Sequence, residues 1–150
     1  MNRLKVYKLR EDAGRIFPPA KQGDVGHDLQ IPTKYAGERI RPNESIVIEM
    51  GIELEFPKEH YGRIEPRSSR FLKGLLCHGI IDEGYTGEIK LIVWNIGRKP
   101  YTLTQGEIVA QLIIASSHLA EIEYNEGESC RKTERGNGKF GHTDNARKYS

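Results

Sequence analysis

Short apolar runs of period two, cut at intervals by glycine or proline, constrain this chain more than any other feature. Ile46-Val47-Ile48-Glu49-Met50, Ile52-Glu53-Leu54-Glu55-Phe56 and Leu119-Ala120-Glu121-Ile122-Glu123-Tyr124 alternate in the way a half-buried strand does, one face on a core and the other on water. Between the runs stand Pro32, Gly37, Pro42, Gly51, Pro57, Gly62, Gly74, Gly87, Gly97, Pro100 and Gly106, the punctuation of a many-stranded antiparallel fold. The pattern predicts an all-β sandwich or jelly roll. Its 150 residues are enough for one domain with a real core and too few for two. A helical turn is expected only over Ser68 to Lys73, where a Ser-Ser pair can cap a short segment carrying Phe71 and Leu72. Neither an internal repeat nor a low-complexity block interrupts the pattern.

Charge narrows the function classes. Charged residues are 29% of the chain but the net charge is only +2, so no general nucleic-acid footprint is expected and any anion site must be local. Two cysteines, Cys77 and Cys130, are too few for a disulfide framework and lack zinc-ligand spacing; they fit a reducing cytoplasm. His60, His118 and His142 show no ligand spacing either. No run approaches the length of a membrane span, and the N-terminal Met1-Asn2-Arg3-Leu4-Lys5-Val6 has no long apolar segment before charge returns. The expectation is a cytoplasmic protein with no membrane partner.

The stretch His78-Gly79-Ile80-Ile81-Asp82-Glu83-Gly84-Tyr85-Thr86-Gly87 reads as a site. It sets a carboxylate and an aromatic ring three residues apart on a bend between two apolar flanks, Leu75-Leu76 and Ile89 to Asn95, which are expected to pair as strands. A carboxylate held by rigid neighbours can serve as a general base. Glu65-Pro66-Arg67-Ser68-Ser69 sets an arginine before two hydroxyls, which suits a phosphate; read alone, such a segment is more often a capped helix with a surface arginine. Gln111, inside the apolar strand Gly106 to Ile113, either satisfies backbone groups or points its amide at a ligand. Asp28 follows a glycine turn in Val25-Gly26-His27-Asp28-Leu29 and by itself is an ordinary turn residue. Leu91, Val93 and Trp94 are expected in the core or at an interface between copies.

From Asn125 the composition changes. The segment through Arg131-Lys132-Thr133-Glu134-Arg135-Gly136-Asn137-Gly138-Lys139-Phe140-Gly141-His142 cannot bury enough apolar surface to fold alone, so it is either disordered or ordered by what it covers. Arg135, Lys139 and His142 bring positive charge, the glycines let backbone amides approach an anion, and Phe140 is the lone large ring. It is not a Walker loop, because Gly138-Lys139 runs into Phe140 rather than Ser or Thr. The expected division is 1–125 for the folded domain and 126–150 for a closing tail.

Taken in order, these five segments resemble the motifs of the trimeric dUTP pyrophosphatases, the dUTPases, over about Val25 to Thr143. The resemblance implies a jelly-roll subunit of β-clip type, a homotrimer, and active sites built from more than one chain. It implies hydrolysis of dUTP to dUMP and pyrophosphate with Mg²⁺, which limits uracil in DNA and supplies dUMP for dTMP synthesis. Carried over by motif, Asp82 is the base for the attacking water, and Tyr85 packs on the deoxyribose so that a 2′-hydroxyl has no room. The backbone from Cys77 through His78, Gly79, Ile80 and Ile81 holds the uracil edge, with Lys90 touching the base through its backbone. Arg67, Ser68, Ser69 and Gln111 hold the phosphates, Asp28 stands near the metal through water, and the tail closes with Arg135, Lys139, Phe140 and Gly141 over the nucleotide.

The chain departs from the family pattern in three places. The interval between Arg67 and Asp82 is shorter than in many members, which implies a shorter base-binding loop; Gly84 stands where an acid often precedes the tyrosine; Lys139 and Asp144 stand where glycines are common. The dCTP deaminases share an Arg-Ser-Ser segment but place a catalytic glutamate three residues before the asparagine, where this chain has Ile92 before Asn95. Isoleucine cannot shuttle protons to a leaving amine. A non-catalytic trimer that keeps the pocket as a nucleotide sensor is the alternative from another class, and a β-sandwich binding module without a nucleotide is the third.

Overall fold

The computed structural model describes residues 2–127 and 129. Twelve strands follow in order: Lys5–Lys8 (β1), Arg15–Ile16 (β2), Gly26–Gln30 (β3), Arg39–Ile40 (β4), Ser45–Glu49 (β5), Ile52–Glu55 (β6), His60–Pro66 (β7), Leu75–Cys77 (β8), Gly79–Ile81 (β9), Lys90–Asn95 (β10), Tyr101–Thr102 (β11) and Ile108–Ser116 (β12). One short helix, Ser68–Phe71 (α1), and a 3-10 turn at Thr33–Tyr35 complete the described elements. Every pairing is antiparallel, in sheets of order β2-β3-β12-β7-β9, β5-β10-β8, β1-β6 and β11-β4. The all-β class expected from the period-two runs is the class observed.

Alternation decides which side chains meet in the core. Along β10, Leu91, Val93 and Asn95 are buried while Lys90, Ile92 and Trp94 face outward. Leu112 and Val109 of β12, Ile64 of β7, Ile48 of β5, Ile52 and Leu54 of β6, and Leu75 and Cys77 of β8 join them in one apolar cluster. Burial pushes the Cys77 thiol up to about 12, so it acts as a small apolar side chain rather than a nucleophile. Trp94 is 45% exposed and lies outside the core, because residue 94 has the parity of the outer face.

Among the described residues, the buried polar side chains are Asn95 and Glu107, and both are hydrogen-bonded. Asn95 donates through Nδ2 to the Ile40 and Lys99 carbonyls at 2.9 and 2.8 Å and accepts the Gly97 N–H at 2.9 Å, tying the loop after β10 to β4. Glu107 accepts from the Tyr101 hydroxyl, from the Thr104 N–H at 3.0 Å and from the Thr104 hydroxyl at 3.1 Å. Arg70 Nε stands 3.3 Å from the same carboxylate, so α1 is pinned to the entrance of β12. Burial, and then the bond to Glu107, hold the Tyr101 hydroxyl protonated well above its ordinary range.

Two local expectations differ from what is observed, and a third holds in a changed form. Leu119 to Tyr124 is not a strand: it belongs to a unit that begins at Leu119, separate from the compact unit of residues 1–118, and Leu119, Ile122 and Tyr124 are exposed. Period two defines faces but supplies no partner, and none of the described strands pairs with this run. The serines do not cap α1; Arg67 occupies the cap position, with no side-chain bond to the helix start. The flanks of the Asp82 bend pair as expected, Leu75 opposite Asn95 and Leu76 opposite Trp94, but the chain between them does not run as one simple hairpin. β8 pairs with β10, with Cys77 opposite Val93, but after the exposed His78 the chain changes sheets and β9 pairs with β7, with Ile81 opposite Gly62. Leu75, Cys77 and Ile81 keep the same inward parity through the change, so the core face is continuous while the hydrogen-bonding partner is not.

Leu112 is completely buried between two paired neighbours, and Leu112→Ala is expected to lower unfolding free energy by about 3 kcal/mol in a urea titration. Acid sensitivity has a defined sign. Asp12 is held below the ordinary carboxylate range chiefly by the Thr33 N–H, Glu44 by the Arg41 guanidinium and Glu88 by the Arg10 guanidinium. Their contribution is present above the unfolded carboxylate pKa of about 4 and is lost as pH falls through the lowered folded values. The urea midpoint is therefore expected to hold between about pH 7 and 5 and to fall below about pH 4, with a smaller fall in Asp12→Asn.

Candidate active site

The bend after β9 is built by short-range bonds. The Tyr85 N–H donates to the Asp82 carbonyl at 3.1 Å, closing a four-residue turn, and the Tyr85 hydroxyl donates to the Glu88 carbonyl at 2.8 Å. Gly87 is required beneath the ring, since a Cβ there would stand 2.7 Å from the Tyr85 hydroxyl oxygen. Ile80, Ile81, Asp82, Tyr85, Ile89 and Lys90 line one cavity of about 170 Å³. Three isoleucines give it apolar wall, and Asp82, Tyr85 and Lys90 give it polar groups. A flat ring can enter such a space while a reacting polar group stays beside the carboxylate.

A second, wider cavity of about 510 Å³ lies over the other end of the large sheet. Ala20, Gly23, Asp24, Val25, Gly26, Asp28, Arg67, Ser68 and Gln111 line it. Strand register brings these together: Gln111 of β12 stands opposite Asp28 on β3 and opposite Glu65 on β7, and Arg67 directly follows β7. The Gln111 amide donates to the Pro66 carbonyl at 3.2 Å, and Arg67 Nε lies 3.3 Å from Asp28 Oδ1. Gly26 leaves room for that amide, because a Cβ at 26 would overlap Gln111 Oε1 at 1.9 Å. An arginine, a hydroxyl and an amide around an open space can donate to an anion once Arg67 leaves Asp28.

Asp82, Tyr85, Ile80, Ile81 and Lys90 thus share one cavity, and Arg67, Ser68, Gln111 and Asp28 share the other. His78, Gly79 and Ser69 line neither; the His78 ring stands 3.4 Å from Glu65. Arg135, Lys139, Phe140 and Gly141, with His142 and Cys130, lie outside the described residues. Asp24 and the loop from Ala20 to Val25 entered the second cavity without being expected there. The only sequence signal for them was the turn chemistry of Gly23-Asp24 beside the Val25 motif, and Gly23 does adopt a positive φ of 95°.

Asp24 and Asp28 are the carboxylates of the second cavity, and among the described residues no three His, Cys, Asp or Glu side chains gather as a metal cage. One or two carboxylates beside an arginine fit Mg²⁺ that arrives with a phosphate ligand, since that ion keeps several waters and takes the rest of its ligands from phosphate oxygens.

An all-β scaffold with one cavity that joins a carboxylate, a tyrosine and isoleucines, and a separate one with an arginine, a hydroxyl and an amide, suits a ring carrying an anionic chain. The family model for dUTPase matches residues 12–144. The chain is 38% identical over 147 residues to the deoxyuridine 5′-triphosphate nucleotidohydrolase of Caldanaerobacter subterraneus subsp. tengcongensis, covering 93% of this chain and 96% of that one. A mutant dUTPase of Staphylococcus bacteriophage 80alpha, solved with dUpNHpp, has the same fold with a TM-score of 0.81 at 24% identity, covering 95% of this chain and 99% of that one. A mutant dUTPase from phage phi11 of S. aureus, whose structure describes coordination of a structural Mg(II) ion, matches with a TM-score of 0.73 at 23% identity over 86% of this chain and 100% of that one. This chain belongs to the dUTPase family.

Gly26→Ala is expected to fold, since only the flexible end of Gln111 has to move, but to turn that amide away from the Pro66 carbonyl. A crystal structure of the variant checks this, and an unmoved amide would contradict it.

Proposed function

We propose that the chain hydrolyses dUTP to dUMP and pyrophosphate as a homotrimer, with Asp82 as the general base. The observation that carries this reading is the shared cavity of Asp82 and Tyr85, which sets a carboxylate and a ring beside the isoleucines 80, 81 and 89. The water's oxygen bonds to the α-phosphorus as Asp82 takes the water's proton, and the bond from that phosphorus to the bridging oxygen breaks, releasing pyrophosphate. A positioned base contributes roughly a hundredfold to ten-thousandfold to such a step.

Tyr85 packs against the deoxyribose and leaves no space for a 2′-hydroxyl. The backbone near Ile80 and Ile81 meets the uracil edge, where cytosine would mismatch its donors and the methyl of thymine would not fit. Arg67, Ser68, Ser69 and the Gln111 amide hold the phosphate chain, with Arg67 exchanging Asp28 for a phosphoryl oxygen. Mg²⁺, when bound, neutralises phosphate oxygens, with Asp28 near it through water. The jelly-roll domain is carried by the compact unit of residues 1–118, and 126–150 are read as a tail that closes over the nucleotide through Arg135, Lys139, Phe140 and Gly141.

Trimer formation is supported by two features. The cavity of Asp82 and the cavity of Arg67 share no lining residue, as expected of two half-sites that different copies complete for one another. On the outer face of the β5-β10-β8 sheet, Ile92 stands opposite Val47, and both are exposed beside Trp94, an apolar surface suited to burial against another copy. Among the described residues no helix is long and apolar enough to cross a membrane. We read the enzyme as cytoplasmic, limiting uracil in DNA and supplying dUMP for dTMP synthesis.

Incubation with Mg²⁺ and dUTP, dCTP, dTTP or UTP in parallel, following pyrophosphate release, tests the reading. dUTP is expected to be cut far faster than the others, and Asp82→Asn to lose at least about a hundredfold in kcat. Comparable cutting of dCTP or dTTP would overturn the base selectivity, and binding of dUTP without turnover would replace the enzyme with a nucleotide sensor.

A further inference from the structure

We propose that the Arg10–Glu88 ion pair is a positioning device for Tyr85, fixing the ring that discriminates deoxyribose from ribose. The proposal rests on the reading of Tyr85 as the sugar sieve. Tyr85 lies on the β9–β10 bend and is 46% exposed, so packing alone leaves its ring loosely held. Its hydroxyl is fixed instead, by donating to the Glu88 carbonyl at 2.8 Å. The position of that carbonyl depends on where the rest of residue 88 is held.

The Glu88 side chain is held from two directions. Its carboxylate receives both terminal guanidinium nitrogens of Arg10, one of them at 3.2 Å, and also the Gly51 N–H at 2.9 Å. Arg10 is itself fixed in place, because the Leu9 N–H donates to the Gly51 carbonyl at 2.8 Å and the Gly14 N–H to the Met50 carbonyl at 2.7 Å. Gly51 takes φ +69°, and a Cβ there would sit 3.3 Å from an Arg10 guanidinium nitrogen, so the turn suits glycine for both reasons. The N-terminal segment, the β5–β6 turn and the bend after β9 therefore meet at one carboxylate, whose own carbonyl holds the tyrosine.

A merely structural pair would predict a different outcome. Met50 and Ile89 exchange backbone bonds with the same region, the Met50 N–H to the Ile89 carbonyl and the Ile89 N–H to the Ile52 carbonyl, both at 2.9 Å. These hold the bend to the domain without Arg10. What the ion pair adds is the orientation of residue 88 and, through its carbonyl, of the ring. A sieve that distinguishes one hydroxyl needs its wall held to about half an ångström. Loss of the pair should therefore relax sugar choice more than it weakens the fold.

The test compares wild type with Arg10→Met, Glu88→Gln, Tyr85→Phe, Tyr85→Ala and the Arg10→Met/Tyr85→Phe double variant. The readouts are kcat and KM for dUTP and UTP, and the thermal midpoint. Arg10→Met is expected to lower the ratio of kcat/KM for dUTP over UTP by about tenfold, mostly through KM. Tyr85→Phe is expected to lower it similarly, and the double variant no further than either, because both cut one chain of contacts. Glu88→Gln serves as the second probe should Arg10→Met fail to fold. A lowered midpoint with an unchanged ratio in both Arg10→Met and Glu88→Gln, or effects that multiply in the double variant, would overturn the proposal. If Tyr85→Ala leaves the ratio at the wild-type value, the sieve reading is wrong and the proposal falls with it. If Tyr85→Ala relaxes the ratio while Arg10→Met does not, the sieve stands and only the anchor is lost.

Discussion

The register of β12 between β3 and β7 is the constraint on which the rest depends. β12 is hydrogen-bonded on both sides, and its inward face buries Ala110 and Leu112. The same register sets Gln111 opposite Asp28 on one neighbour and beside the end of β7 on the other, where its amide reaches the Pro66 carbonyl. A slip of one residue would expose the leucine and drive the amide into the core. Apolar burial thus enforces the geometry of a polar cavity, and the bulge between Ile108 and Ala110 absorbs the irregularity at the strand's entrance.

A second constraint acts at the other end of the site. At His78 the chain leaves the sheet of β10 and joins the sheet of β7, so the Asp82 bend is anchored by β9 on one side and by β10 on the other. A bend tied to two sheets has less freedom than a hairpin tip on one. Rigid strands at both ends, and the Arg10–Glu88 contact across the middle, hold a segment of largely exposed residues in one shape. The two cavities are therefore separate on one chain, each built on a different pair of sheet contacts.

Much of this was legible in the residues. Alternation at 46–50 and 52–56 became β5 and β6, and the run ending at Asn95 became β10, because each apolar face found a core and each backbone found a neighbour. The same alternation at 119–124 did not become a strand, since pattern defines a face and only a partner defines a sheet. Arg67, Ser68, Gln111 and Asp28 were each ambiguous alone; their grouping was foreseen only through resemblance, and strand register is the physical reason they meet. Arg10 and Glu88 were not foreseen, because a pair 78 residues apart leaves no periodic or motif signal.

By itself the sequence determined the all-β class, the single core and the order of the five motifs, because side-chain parity and turn chemistry are local properties that survive in a one-dimensional reading. Only the tertiary structure decided which strands pair, where the chain changes sheets, that Trp94 faces outward, and that Asp82 and Arg67 line different cavities. Those are outcomes of long-range hydrogen bonding and burial, in which each residue's neighbour is set by the whole fold rather than by the residues beside it.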